Sequence, residues 1–235
     1  MRILVIGGTG FIGRHLCRQL AKQHEVKVIS RRKIEAKLVD GQPSNINYLL
    51  GDITDYNFVN SSCKGIDFII NLASTVVPLT SNDNPIYDVQ TNLIGALYSL
   101  QAAINNGISK YIFLSSGGTV YGRKNSSEAH SEGDSTEPIC SYGIVKLTIE
   151  KYIHMFNELH GLPYSIIRLS NPYGPEYSIE KPQGVIHHFI SKVIHNETIS
   201  IWEMVAWKEI FFTSMMWSLH YASRWNISRV NHCLI

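Results

Sequence analysis

The sequence predicts an α/β protein built on a doubly wound parallel sheet. Short apolar runs rich in Ile and Val recur along the chain, helical patterns alternate with them, and the first run leads directly into a glycine-rich turn. Strands of this kind are buried on both faces, which a parallel sheet covered by helices provides. The predicted strands are 2–6, 26–30, 45–50, 68–71, 111–115 and 164–169, and the predicted helices are 11–23, 83–106, 141–160 and 184–195.

Composition sets the class of protein and its surroundings. With 235 residues, of which 44% are hydrophobic and 17% charged, the chain can bury one substantial core. The net charge of +2 gives no reason to expect nucleic acid or an anionic membrane as a partner. The histidines are scattered, so no metal site is expected, and the apolar run 3–6 is too short for a signal or membrane segment. The four cysteines show no CxxC spacing and no disulfide framework, which favours the cytoplasm.

The first predicted strand leads into a turn of the sequence Gly7-Gly8-Thr9-Gly10 and then into a predicted helix. Glycine is needed there because a Cβ would collide with a bound phosphate or with the helix, and the amino end of the helix attracts negative charge. Strand, turn and helix together predict a dinucleotide-binding site. The residues expected to contact the dinucleotide here are Gly7, Gly10, Phe11, Ile12 and Gly13.

Tyr142 and Lys146 stand four residues apart at the start of a predicted helix, so both side chains lie on one helix face. A tyrosine is a poor base at neutral pH because its pKa is near 10. A nearby ammonium favours the phenolate, and Tyr142 is therefore the expected acid–base group. The alternative is an ordinary amphipathic pair.

A hydroxyl-rich loop follows the strand predicted at 111–115. Ser115, Ser116 and Thr119 lie where an α/β sheet presents groups to its ligand. Ser116 and Thr119 are candidate catalytic hydroxyls, and a plain Ser/Gly turn is the alternative.

These three elements, in this order and spacing, resemble the extended short-chain dehydrogenase/reductase family, in its nucleotide-sugar epimerase/dehydratase branch and most of all its UDP-glucose 4-epimerases. The resemblance covers residues 1 to about 202. It implies a Rossmann-type sheet whose small C-terminal substrate lobe is truncated in this chain. It also implies an NAD-dependent enzyme that acts on a nucleotide sugar, and a homodimer formed through the helices predicted at 83–106 and 141–160.

Further segments match the family residue by residue. By resemblance, Asp52 and Ile53 lie at the adenine, and Asn171 meets the substrate phosphates. The remaining residues that the resemblance places along the cofactor are Leu72, Ala73, Ser74, Asn92, Ser115 and Pro172.

The resemblance also implies a reaction. Tyr142 removes the proton of the sugar 4-hydroxyl while hydride passes from C4 to the nicotinamide, the 4-keto sugar turns over, and hydride returns to its other face. Lys146 tunes Tyr142 and holds the nicotinamide ribose, and Tyr142 and Ser116 both contact the sugar.

Two residues depart from the family pattern. The family carries Ser or Thr at the position of Gly117, 25 residues before the tyrosine, so Ser116 or Thr119 is expected to serve instead, with Ser116 preferred. The second strand ends in Ser30-Arg31, where an acidic residue is common in NAD enzymes. NAD is the expected cofactor because the family's epimerases retain it, and Ser30 with Arg31 leaves NADP open.

The composition changes after residue 202. Residues 203–235 contain all but one of the four tryptophans, Trp202 itself being the other, and lack the Gly and Pro that mark turns. One G inserted after the Trp202 codon restores a reading of the family type, in which Trp207-Lys208 forces Glu and Met215-Met216-Trp217 forces Asp-Val. We therefore expect 1–202 to be an NAD(P)-binding domain and 203–235 to be a frameshifted tail, with a divergent C-terminal region as the alternative.

Three functions follow from these residues. The leading one is C4 epimerisation of a UDP-hexose, reduced to trace turnover by loss of the lobe. A nucleotide-sugar dehydratase or 4-ketoreductase shares the Tyr and Lys, although dehydratases place Asp-Glu where this chain has Gly117-Gly118-Thr119. A non-catalytic dinucleotide-binding module is the third.

Overall fold

Nine strands and six helices are present in residues 1–31, 45–123, 130–175, 185–200, 211–213 and 232–234, which are the residues that the computed structural model describes. The strands are β1 (Arg2–Ile6), β2 (Glu25–Ser30), β3 (Ile46–Leu50), β4 (Phe68–Asn71), β5 (Lys110–Ser116), β6 (Tyr164–Leu169), β7 (Asn171–Tyr173), β8 (Phe211–Thr213) and β9 (His232–Leu234). The helices are α1 (Phe11–Leu20), α2 (Tyr56–Ser62), α3 (Pro85–Asp88), α4 (Ile94–Asn105), α5 (Ser141–His160) and α6 (Val185–Ile194), and a π-helical segment (Val89–Leu93) joins α3 to α4.

The main sheet has the strand order β3-β2-β1-β4-β5-β6-β9, and every pair in it is parallel. The chain moves outward from β1 to β3 and then crosses to the other side at β4. This reversal places the carboxyl ends of β1 and β4 side by side, where Ile6 pairs with both Ile29 and Asn71. The predicted doubly wound parallel sheet is confirmed.

Alternate residues of each strand face opposite sides of the sheet, and both sides are covered. On one side, Leu4 and Ile6 belong to a core that includes Leu100 of α4 and Ile149 of α5. On the other, Ile3 and its alternating neighbours pack in a core with residues of α1. Burial on both faces explains why the strands are continuous apolar runs rather than alternating ones.

Several element boundaries differ from the sequence prediction. Helix α1 ends at Leu20, and the helix predicted at 83–106 is divided into α3, the π-helical segment and α4. The sequence prediction missed α2, which begins where the Asp55 side chain accepts a hydrogen bond from Phe58 N at 3.0 Å. Seven residues are too few for a helical periodicity to stand out.

The predicted tail 203–235 lies outside the described residues except for the backbone of β8 and β9. Strand β8 pairs with β7 in a separate two-stranded sheet, and β9 lies at the edge of the main sheet, where Cys233 pairs with Ile166. Among the described residues, no helix has the length and apolar character required to cross a bilayer.

Candidate active site

The predicted site residues lie together at one edge of the sheet. They lie at or just after the carboxyl ends of β1 to β6, or on the helical segments that follow β1, β4 and β5 in the chain, as the topology of a doubly wound sheet requires. They are Gly7, Gly10, Phe11, Ile12, Gly13, Ser30, Arg31, Asp52, Ile53, Leu72, Ala73, Ser74, Asn92, Ser115, Ser116, Thr119, Tyr142, Lys146, Asn171 and Pro172.

The backbone of the turn after β1 lies very close to the start of α1. Gly10 N donates to Gly7 O at 3.1 Å, which closes the turn. A Cβ on Gly13 would lie 2.5 Å from Gly7 O and 2.6 Å from Gly8 Cα, so only glycine lets α1 pack this close to the turn. No side chain caps α1 at Gly10. The amino end of α1 is thus suited to receive a pyrophosphate, as the sequence predicts.

The end of β2 lies against the same turn. Ser30 is buried, and its Oγ is 3.4 Å from Thr9 Oγ1. The exposed Arg31 guanidinium reaches toward Tyr87, with Nη1 at 3.5 Å from the phenol oxygen. Asp52, which follows the adjacent strand β3, accepts hydrogen bonds through Oδ1 from Thr54 N and Thr54 Oγ1. Arg32, which follows Arg31 in the sequence, is outside the described residues.

The loop after β4 is held from two sides. Ala73 N donates to Asn71 Oδ1 at 3.0 Å, and Thr75 N donates to Asn92 Oδ1 at 2.9 Å. The Asn92 amide also donates to Thr75 Oγ1 and to Asp88 Oδ1. These bonds show Asn92 fixing the loop that carries Ala73 and Ser74, and its predicted contact with a cofactor stays a prediction.

Tyr142 and Lys146 lie on the face of α5 that is turned to the end of β5. Lys146 is buried, and its Nζ donates to Leu114 O at 2.8 Å. The same Nζ is 5.6 Å from the centroid of the Tyr142 ring. The half-buried Tyr142 makes a side-chain hydrogen bond with Ser116. The pair and the preferred hydroxyl therefore form one cluster.

An ammonium one helical turn away is expected to lower the pKa of Tyr142, and this expectation is wrong here. Burial, with a smaller contribution from the carboxylate of Asp88, raises the pKa of Tyr142 to about 12, while the hydrogen bond with Ser116 opposes the rise. Burial also lowers the pKa of Lys146 to about 8, although nearby carboxylates raise it. For each group, the cost of removing its charged form from water outweighs its interactions with nearby charges. The expectation was wrong because it considered only the charge of Lys146.

The structure gives a reason for the glycine at position 117. A Cβ on Gly117 would lie 2.9 Å from Arg168 O, a backbone atom that cannot move freely. A serine or threonine therefore does not fit there without a backbone shift, and the adjacent Ser116 makes the bond to Tyr142 instead. The other candidate, Thr119, has a buried Oγ1 with no hydrogen-bond partner among the described residues.

Asp88 is a site residue that the sequence analysis missed. It is fully buried and accepts hydrogen bonds from Asn92 Nδ2 and from Ser141 Oγ, both at 2.8 Å. Ser141 directly precedes Tyr142, so Asp88 ties the π-helical segment to the start of α5. The only sequence signal was its position four residues before Asn92 in the predicted helix 83–106, which puts both side chains on one helix face.

A buried ion pair lies behind the cluster and was also missed. Arg168 donates to Glu150 through Nε and Nη2, the latter at 2.7 Å, and through Nη1 to Tyr121 OH at 2.7 Å. Ser115 Oγ donates to the same carboxylate, so this hydroxyl is turned to α5. Glu150 follows Lys146 by four residues on one helix face, and that spacing was the available signal.

The comparisons with known proteins agree with this geometry. Residues 3–212 match the family described as the NAD dependent epimerase/dehydratase family. The chain belongs to this family. NAD is therefore the cofactor of its family, and the glycine turn and bare amino end of α1 fit that group in this chain.

Individual members of the epimerase/dehydratase family differ in the reaction they are named for. The chain is 33% identical over 201 residues to a putative UDP-glucose 4-epimerase of Methanocaldococcus jannaschii, covering 83% of this chain and 64% of that protein. It is 32% identical over 213 residues to an Escherichia coli dTDP-4-dehydro-6-deoxyglucose reductase, covering 86% of this chain and 65% of that protein. The chain thus spans less than two thirds of the length of these relatives.

A solved structure shows the same fold. The UDP-glucose 4-epimerase of Thermotoga maritima with UDP-glucose superposes with a TM-score of 0.85 at 28% identity, covering 93% of this chain and 71% of that one. The family and its fold are therefore shown for this chain.

Proposed function

We propose that this chain carries the cofactor-binding and proton-transferring half of a nucleotide-sugar 4-epimerase. The observation that carries the proposal is the cluster of Tyr142, Lys146 and Ser116 at the sheet edge that also presents the glycine turn. The substrate would be a UDP-hexose, and the sugar C4 would be oxidised and reduced again. A cytoplasmic homodimer belongs to the same proposal and rests on the family resemblance.

Each residue of the cluster has a distinct task in this proposal. NAD, when bound, takes hydride from the sugar C4 and returns it. Tyr142 Oη receives the proton of the 4-hydroxyl and gives it back to the same oxygen. Ser116 donates to that oxygen, or to Tyr142, and keeps the two aligned. Lys146, fixed by Leu114 O, supplies a positive charge close to the phenol.

The protonation state in the described protein favours one direction. With its pKa raised to about 12, Tyr142 is a neutral phenol at pH 7 and is ready to donate a proton to a 4-keto oxygen. It accepts a proton only after its pKa has fallen. Charge brought into the site on binding must therefore assist the oxidative half-reaction.

The substrate side of the proposed site has little packing around it among the described residues, and we propose that turnover is therefore reduced to a trace. Helix α6 follows β7, yet none of its residues is buried. In the proposal, residues 203–235 are a frameshifted tail that supplies no cover for the sugar.

One alternative has specific support. The Escherichia coli relative is named a reductase, and the neutral phenol suits reduction of a 4-keto sugar. Such a reductase would use the same Tyr142, Lys146 and Ser116 for half of the epimerase cycle.

The test follows the bound nicotinamide directly. Chain loaded with NAD is mixed with UDP-galactose or UDP-glucose, and reduction of the nicotinamide is recorded by absorbance. We expect slow reduction that Tyr142→Phe diminishes by about 10²- to 10⁴-fold, since a positioned acid–base group contributes on that order. Tyr152→Phe, a half-buried tyrosine on the same helix, is the matched control and should leave the rate unchanged.

No reduction with either sugar, or equal rates for Tyr142→Phe and the parent chain, would overturn the proposed reaction. Rapid steady-state interconversion of the two sugars would instead overturn the proposed impairment.

A further inference from the structure

The ribose end of the dinucleotide site departs from an NAD pocket in its charge. An NAD-specific site of this fold places a carboxylate at the end of β2, where it accepts the ribose hydroxyls and repels a phosphate. Here that position is Ser30, and residues 26–34 contain no Asp or Glu. The replacement removes the group that would exclude a 2′-phosphate.

The position of Ser30 shows that it faces the cofactor turn. Its Oγ lies 3.4 Å from Thr9 Oγ1, within the turn that closes over the pyrophosphate, and its carbonyl accepts from Gly51 N at 2.9 Å. The adenosine ribose of a dinucleotide held on this turn would therefore meet the two hydroxyls of Thr9 and Ser30. Both hydroxyls can donate to a phosphate oxygen.

Arg31 supplies the matching charge. Its side chain is exposed, and Nη1 is 3.5 Å from the phenol oxygen of Tyr87, the only ring or acceptor that the described contacts place beside it. Among the described residues, no carboxylate forms an ion pair with this guanidinium. Asp52, which follows the adjacent strand β3, accepts hydrogen bonds from Thr54 through Oδ1.

We propose that Ser30, Thr9 and Arg31 form a subsite for an adenosine 2′-phosphate, so that this chain binds NADP(H) more tightly than NAD(H). The inference rests on the dinucleotide-binding part of the proposed function and needs neither Tyr142 nor a sugar. It also bears on the reaction, because an exchangeable NADPH would act as a consumed reductant and favour the 4-ketoreductase alternative.

Binding of fragments tests the subsite without turnover. Titration calorimetry compares 2′,5′-ADP with 5′-ADP, which share adenosine and the 5′ side and differ at the 2′-phosphate. We expect 2′,5′-ADP to bind about tenfold to hundredfold more tightly, since charge-assisted hydrogen bonds are worth that factor. The preference should shrink at high salt, because Arg31 is exposed and its charge is screened.

Three variants assign the effect. Arg31→Ala should remove most of the preference, and Arg31→Lys should restore part of it by keeping charge without the planar fork. Ser30→Asp should reverse the preference toward 5′-ADP through repulsion of the phosphate. Lys22→Ala removes an exposed cation at the opposite end of α1 and should change neither affinity.

Equal affinities, or tighter binding of 5′-ADP by the parent chain, would overturn the inference. A preference that survives Arg31→Ala would overturn the assignment to Arg31. Failure of the sugar to reduce bound nicotinamide, with the fragment preference intact, would count against the proposed reaction alone.

Discussion

The sheet from β1 to β6 and helix α6 differ in how their apolar residues are covered. In the sheet, Ile3 and Leu4 have no exposed surface, and helices cover both faces. In α6, Ile190, Val193 and Ile194 are 53%, 63% and 62% exposed. Similar side chains thus have full cover in one region and little in the other.

The contrast in burial indicates which half of the proposed site this chain can stabilise by its own packing. The residues proposed to hold the dinucleotide are attached to strands whose two faces are both packed in a closed core. Helix α6, which follows β7, has no comparable core among the described residues.

The largest expected loss of stability comes from the ion pair inside the closed region. Glu150→Gln leaves the Arg168 guanidinium buried without its counter-charge and should lower the free energy of unfolding by about 3–5 kcal/mol. Denaturant unfolding followed by circular dichroism measures this loss. Replacing both residues, Glu150→Met with Arg168→Met, should recover much of the lost free energy of unfolding. If it does not, the ion pair contributes more to stability than the mutual neutralisation of two buried charges.

Matched truncations in the two regions compare their packing directly. Leu100→Ala, in the fully buried core of α4, should cost about 2–5 kcal/mol through lost contacts and a residual cavity. Ile190→Ala on α6 should cost less than about 0.5 kcal/mol because the side chain is largely in water. Similar losses in the free energy of unfolding for the two variants would mean that α6 is covered by another surface, such as a second copy of the chain.

Lys146 should make stability depend on pH in an identifiable window. Its pKa is about 8 when folded and 10.5 in the reference state, so between these values the unfolded chain binds the extra proton. The free energy of unfolding should therefore rise with pH from about 8 to 10.5, by up to about 3 kcal/mol relative to Lys146→Met. Parallel curves for the two proteins across that window would show that the lysine is not desolvated.

Asp88→Asn should shift the titration of Tyr142 and Lys146, the proposed catalytic pair. The Asp88 carboxylate raises the pKa of both Tyr142 and Lys146, so its removal should lower both values. Carbon-13 NMR of labelled tyrosine follows the phenol, with Tyr142→Phe used to assign the signal. Asp83→Asn, which removes an exposed carboxylate nearby in sequence, should leave the titration where it was. An unmoved Tyr142 signal in Asp88→Asn would contradict the electrostatic role.

Removal of the tail is also expected to have a small effect. A chain ended after residue 202 should keep its free energy of unfolding within about 1 kcal/mol, because short edge strands contribute little compared with a covered core. Among the described residues of the tail, β9 is the one element on the main sheet. A loss comparable to that of Glu150→Gln would show that 203–235 is an integral part of the fold.

Much of the fold could be predicted because strands buried on both faces can be recognised in the sequence as apolar runs. The range 68–71 and helix 141–160 were predicted to the residue, and the glycine turn was placed correctly between β1 and α1. These features are local, since strand type, helix face and glycine spacing all depend on neighbours in the sequence.

The features that were missed depend on contacts distant in sequence. Burial is the main cause of the raised pKa of Tyr142, and the four-residue spacing to Lys146 does not show this burial. Asp88 and Arg168 looked like ordinary polar residues until the fold placed them next to Ser141 and Glu150. A sequence pattern shows which side chains share a face, and only the fold shows how much water they retain.

The π-helical segment between α3 and α4 is one residue too long for a regular helix at that place. Such insertions are rare, and here the extra residue sets the rotation between Asp88 and the residues of α4. Deleting one residue from Val89–Leu93 would regularise the helix but turn everything before it by about 100° around the helix axis. Asp88 would then leave Ser141, which makes the site sensitive to the length of this helix as well as to its composition.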